Sequence, residues 1–190
     1  MSNFTEYKLE QAFCELLAQE GYPHSLGITL PRQNDDVLIE SDLHNFLSER
    51  YQNEGITETE IKSIVLELKS LPSSDLYESN KRFMKMLSDG FILKREDRNQ
   101  KDIYVQLIHY AGLELQKHNE KDLISIAADR TKDYVDLNKY RFVTQLEIEG
   151  SEKRIPDGIL YINGLPLVVF EFKLKALFER KLQFIMPTSN

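Results

Sequence analysis

Cysteine is nearly absent: Cys14 is the only one in 190 residues. That excludes an internal disulfide framework, and a cytoplasmic location is the simplest expectation. Long apolar runs are missing too. None approaches the roughly 20 residues needed to cross a bilayer, so no membrane partner is expected. The start, Met-Ser-Asn-Phe-Thr-Glu, has no basic stretch ahead of an apolar one, so no signal peptide is read there. The four histidines, His24, His44, His109 and His118, lack zinc-like spacing. No Gly-x-x-x-x-Gly-Lys-[Ser/Thr] phosphate loop is present, and there is no internal repeat or low-complexity segment. Basic charge is in short supply: 24 Lys and Arg stand against 31 Asp and Glu, a net charge of −7. A free-standing DNA binder usually shows a basic face, so any DNA function requires that part of this acidity serve a metal and that other components grip the DNA. What is present is globular in kind, with 41% hydrophobic and 10% aromatic residues. The length fits a single domain, 1–190.

Residues 5–20 carry Leu9, Phe13, Leu16 and Leu17 at helical spacing after a candidate N-cap, Thr5, and Gly21 ends the run. Residues 22–39 are expected to be irregular or weakly extended. A helical insertion then spans 40–90. Ser41 is its first expected cap, Thr57 to Glu60 forms a capping-box pattern, and a third helix at 75–88 points Leu76, Phe83, Met84 and Leu87 inward. From residue 91 the pattern turns to β. Short runs at 91–93, 103–110 and 123–127 precede an alternating strand from Phe142 to Ile148. Two apolar strands, 159–162 and 165–172, flank Asn163-Gly164, a strong hairpin signal. The expected fold is therefore α/β (α+β): a mixed sheet flanked by helices, with a helical insertion.

The chemistry is concentrated in 154–173. Asp157 opens one strand, while Glu171 and Lys173 sit two apart on the next and share a face by the period-two rule. Charges at the end of so apolar a strand need a reason. Two carboxylates converging on Mg²⁺, with a lysine to orient or deprotonate the attacking water, supply one. On spacing alone, an ordinary surface Glu–Lys pair at the end of a hairpin fits equally well.

The block Arg-Ile-Pro-Asp-Gly-Ile-Leu-Tyr-Ile-Asn-Gly-Leu-Pro-Leu-Val-Val-Phe-Glu-Phe-Lys closely resembles the PD-(D/E)xK nuclease core of type I restriction enzyme R (HsdR) subunits. Leu9 to Phe13 resembles that family's first helix, and Gln145 to Gly150 the strand before the motif. The resemblance implies a restriction-endonuclease-like fold and a catalytic hairpin at 155–173. It implies a DNA endonuclease in which Asp157 and Glu171 bind Mg²⁺ (or Mn²⁺), Lys173 assists, and Glu10 supplies an accessory acid. The partners implied are double-stranded DNA and, in the full-length enzyme, methylation and specificity subunits, with ATP needed only for a motor absent from this chain. The alternative is a non-catalytic remnant or docking module that keeps the fold.

Two structural expectations follow. For Asp157 to face Glu171, the hairpin is expected to have a three-residue loop, Ile162-Asn163-Gly164, with Tyr161 opposite Leu165 and Asp157 opposite Val169. The tail 174–190 departs from the family pattern and lacks its Gln-x-x-x-Tyr helix. Back-translation allows a shifted reading frame after Lys173 that restores the pattern, so a truncated fragment, inactive by itself, is expected. Two other features have plainer readings. Lys94, Arg95, Arg98 and Lys101 form a basic cluster interrupted by Glu96 and Asp97, which reads as a solvated turn. Cys14 reads as a small buried residue.

Overall fold

A computed structural model describes residues 5–72, 74–110, 136–150 and 152–172. Helix α1 (Glu6–Gln19) begins as expected: Thr5 is extended, and its hydroxyl accepts the Lys8 N–H at 3.3 Å. Strand β1 (His24–Leu26) follows, then a 3-10 turn at Gly27–Thr29. The helical stretch resolves into α2 (Glu40–Arg50), α3 (Glu58–Lys69) and α4 (Leu76–Asp89).

The start of α2 differs from expectation. Ile39 occupies the cap position and Ser41 lies inside the helix. A contact with the distant hairpin sets this start: the Ile39 N–H donates to the Gly164 carbonyl at 2.9 Å. The Thr57–Glu60 capping box of α3 is present in both directions. In α4 the buried stripe runs through Ser79, Phe83, Met86 and Leu87. These are i, i+4, i+7 and i+8 positions, so Met84 falls outside them, and Leu76 lies in an exposed first turn.

Strands β2 (Phe91–Leu93) and β3 (Ile103–Val105) form a small antiparallel hairpin. The β run expected to reach Tyr110 stops at Val105, and the one at 123–127 lies outside the described residues. Strand β4 (Tyr140–Thr144) ends earlier than expected because Gln145 adopts φ 52°, a left-handed conformation that breaks pleating. A two-residue ladder follows between β5 (Ile148–Glu149) and β6 (Lys153–Arg154), and then β7 (Gly158–Ile162) and β8 (Leu165–Phe170).

The principal sheet is mixed, with order β1-β4-β7-β8. β1 runs parallel to β4, and the remaining pairs are antiparallel. One buried cluster joins α2, α3, α4, β2 and β3 to Leu165. A second joins Ile39 and Leu146 to Val143, Ile159 and Tyr161 of the sheet. The architecture is mixed α/β and consistent with a restriction-endonuclease-like fold. Among the described residues no helix is long and apolar enough to cross a membrane.

Candidate functional site

The hairpin turn is tighter than expected. Asn163 (φ 52°) and Gly164 (φ 75°) are both left-handed, and Ile162 pairs directly with Leu165, the signature of a two-residue turn. The expected three-residue loop is therefore wrong. Carried on without interruption, this register would set Asp157 opposite Phe170 and turn it away from Glu171. A β-bulge intervenes. Tyr161 pairs with Pro166 but Leu160 pairs with Val168, so Leu167 has no partner. Ile159 then meets Val169 and Gly158 meets Phe170. One step further the same register sets Asp157 opposite Glu171, and opposed residues share a face.

Local contacts agree with that register. Asp157 is half-buried, and its Oδ2 accepts the Phe172 backbone N–H at 2.5 Å. Gly158 lies on the other face under Phe142, where an added Cβ would come within 2.3 Å of the ring's Cζ. Phe13 of α1 packs on Phe142, Phe170 and Phe172, with centroids 5.6, 5.0 and 5.2 Å away. This face is thus closed by an aromatic cluster. On the opposite face Val169 is 61% exposed and Glu171 is exposed.

The structure brings Asp157 and Glu171 to neighbouring strand ends. It does not gather Glu10 with them. Glu10 is half-buried on α1, one turn before Phe13, and that helix packs the aromatic face. Its charge is felt locally at Cys14, whose thiol is pushed up by burial first and by Glu10 second. Lys173 and the tail 174–190 lie outside the described residues. Among those described, no three His, Cys, Asp or Glu side chains form a group fit to hold a metal.

Sequence reasoning missed the polar work at the far end of the hairpin. Asn163 is fully buried. Its amide donates to the Leu107 carbonyl and to Asn138 Oδ1, both at 2.9 Å, and its Oδ1 accepts the Lys139 N–H at 2.7 Å. Arg141 grips Asp42 through two nitrogens at 2.8 and 2.9 Å, tying β4 to α2. Arg95, expected on a solvated turn, is instead 9% exposed and bonded to Glu60 and to the carbonyls of Glu54 and Gly55. The signal available for Arg95 was the Glu60 carboxylate, which the capping-box pattern had already placed.

Residues 3–183 match the family described as type I restriction enzyme R protein N terminus. Two curated relatives align across most of the chain. The type I restriction enzyme HindI endonuclease subunit of Haemophilus influenzae is 28% identical over 178 residues, covering 88% of this chain and 15% of that protein. The MjaIXP endonuclease subunit of Methanocaldococcus jannaschii, also named for a type I restriction enzyme, is 26% identical over 179 residues, again 88% and 15%. The chain therefore spans about 15% of the length of these relatives. No solved structure matches it significantly.

Proposed function

Because the chain belongs to the family of type I restriction enzyme R protein N termini, we propose that it is the DNA-cutting module of such an enzyme, a Mg²⁺-dependent endonuclease domain of the PD-(D/E)xK kind. The observation that carries this reading is the bulged β7–β8 register, which, continued one step beyond the Gly158–Phe170 pair, sets Asp157 opposite Glu171. At this end of the face Val169 and Glu171 are exposed, so a duplex can approach it without displacing α1.

The donor set suits the ion: two carboxylates, with the remaining positions left to water and phosphate oxygens, are what Mg²⁺ ordinarily takes. When bound, the cation would polarise the phosphoryl oxygen and acidify the attacking water. The chain's own groups do the rest. Asp157 is held by the Phe172 N–H through one oxygen, which fixes the carboxylate and leaves Oδ1 for the cation. Glu171 offers the second carboxylate. Lys173 orients or deprotonates the attacking water and offsets charge developing on the phosphate. Glu10, on the helix that packs the aromatic face, stands outside this arrangement. Recognition of the DNA sequence, methylation and ATP-driven translocation belong to other subunits and domains of the assembled enzyme.

Mn²⁺ binding and cleavage of double-stranded DNA test the reading together. Free Mn²⁺ measured by electron paramagnetic resonance should fall on adding the protein. Cation at a hundredfold excess over its Kd should stabilise the fold by roughly 2.7 kcal/mol in thermal unfolding. Asp157→Asn and Glu171→Gln should each sharply weaken both responses. Reconstituted with the remaining subunits, the same variants and Lys173→Ala should lose cleavage. No Mn²⁺ uptake by the unaltered chain would favour a docking module that keeps the nuclease fold.

A further inference from the structure

Helix α1 was expected to serve the site through Glu10, yet it packs on the hairpin through an aromatic ring. Phe13 lies 5.0 Å from Phe170 and 5.2 Å from Phe172, centroid to centroid, at interplanar angles of 54° and 66°. Those two phenylalanines are the immediate neighbours of Glu171. They stack on each other at 6.4 Å, and Phe142 closes the cluster from β4 at 5.6 Å from both Phe13 and Phe170. With both neighbours fastened to one face, alternation leaves Glu171 only the other. The sheet alone does not guarantee this. Among the described residues β8 is the last strand of its sheet and carries a surplus residue at Leu167, so the competing register without the bulge lies a single-residue slip away. In that register Phe170 and Phe172 would turn to solvent and Glu171 would turn under α1.

We infer that Phe13 is a positioning residue of the site: by clamping Phe170 and Phe172 from α1 it selects the bulged register and holds Glu171 on the face of Asp157. The consequence for metal binding rests on the two-carboxylate reading above, whereas the clamp itself does not. The same clamp steadies the second ligand, since the Phe172 amide that bonds Asp157 belongs to a residue held by Phe13. Ring pairs of this kind stabilise beyond their buried area, enough in sum to bias a register equilibrium about tenfold or more.

Two readouts on the full chain separate the clamp from the metal reading. In the first, Asp157→Cys and Glu171→Cys are combined in a Cys14→Ser background and oxidised mildly. The disulfide should form readily with Phe13 present and at least about fivefold less with Phe13→Ala, with Phe13→Leu giving less than half the parental yield. In the second, a double-mutant cycle on Mn²⁺ affinity pairs Phe13→Ala with Glu171→Gln. Phe13→Ala should weaken Mn²⁺ about tenfold in the unaltered chain and scarcely at all once Glu171 is gone. If Phe13→Ala folds and cross-links as well as its parent, the clamp is refuted. If Phe13→Ala unfolds, Phe13→Leu decides, since it keeps most of the packing volume but loses the ring contacts: a folded Leu variant that cross-links as well as its parent also refutes the clamp, and one with less than half the parental yield upholds it. Cross-linking that depends on Phe13 without any Mn²⁺ uptake upholds the clamp and sinks the metal reading alone.

Discussion

Glu60 is the residue on which most depends outside the site. It closes the Thr57 capping box, and it meets Arg95 at 2.8 Å with both side chains almost wholly buried, 3% and 4% exposed. Burial by itself would raise its pKa. Hydrogen bonds from the backbone N–H groups of Thr57 and Glu96 and from the Thr57 hydroxyl outweigh that, the charge of Arg95 adds to them, and the net result lies below the ordinary 4.5. A carboxyl depressed in the folded state stabilises the fold above its unfolded value, and the contribution fades as pH falls towards the folded value. Removing one member of a buried pair strands the other at a cost of about 3–5 kcal/mol. Glu60→Gln should therefore unfold at markedly lower denaturant than the parent at pH 7. The gap should begin to close once pH drops below about 4.5. A gap that widens on acidification would mean the carboxyl is not stabilised in its charged form. By contrast, the bond of Lys69 to Glu40 joins two partly exposed side chains, 39% and 48%, and such surface pairs contribute little.

At the scale of elements, helix starts divide into those set locally and those set from afar. Thr57 caps α3 with its own side chain, so Thr57→Ala should cost about 1 kcal/mol in urea unfolding. Ser41 lies inside α2, whose start depends on Ile39 and Gly164, so Ser41→Ala should fall within about 0.5 kcal/mol of the parent. Equal losses at the two positions would contradict this division. The same division explains what could be read in advance. α1, the α3 capping box and the Asn163-Gly164 hairpin were legible because their signals lie within a few residues of one another. β1 was not. It is three residues between breaks, and only pairing with β4, over a hundred residues away, makes it a strand. The Leu167 bulge was equally hidden, because it reconciles a tight turn at one end with aromatic packing at the other, and neither demand is local. Asp157 and Glu171 could be named from their spacing, but their common face depends on that bulge.

For the whole molecule, the question is how the α2–α4 helices are joined to the sheet. The ties include Asp42 to Arg141, Glu49 to Lys139 and the Ile39 N–H to the Gly164 carbonyl, while Asn163 binds Leu107, just after β3, and Asn138, just before β4. Gly164 admits no side chain, since a Cβ there would come within 2.2 Å of the Ile39 carbonyl oxygen. Leu165 of β8 is buried in the helical cluster itself. Helices and sheet should consequently unfold together. Far-ultraviolet circular dichroism and tyrosine fluorescence should give coincident urea midpoints, and Gly164→Ala should lower both in step. Separate midpoints for the two probes would show that the ties are too weak to couple the parts.

The turn also sets a chemical clock. An asparagine followed by glycine is the sequence most prone to deamidation, because the unhindered glycine nitrogen can attack the side-chain amide and close a succinimide ring. In the folded chain the Asn163 amide is fully buried and committed to three hydrogen bonds, so the attack geometry is denied. Every excursion to the unfolded state restores it. The aspartate or isoaspartate that results puts a carboxylate oxygen against the Leu107 carbonyl where an N–H belongs, a buried mismatch of about 1–3 kcal/mol or more, so a damaged chain refolds less well than it unfolded. Peptide mapping should find isoaspartate at 163 accumulating quickly in denaturant and scarcely at all in native buffer; equal rates in both would mean that the turn opens without global unfolding. The same buried amide that anchors the hairpin thereby records how long a molecule has spent unfolded.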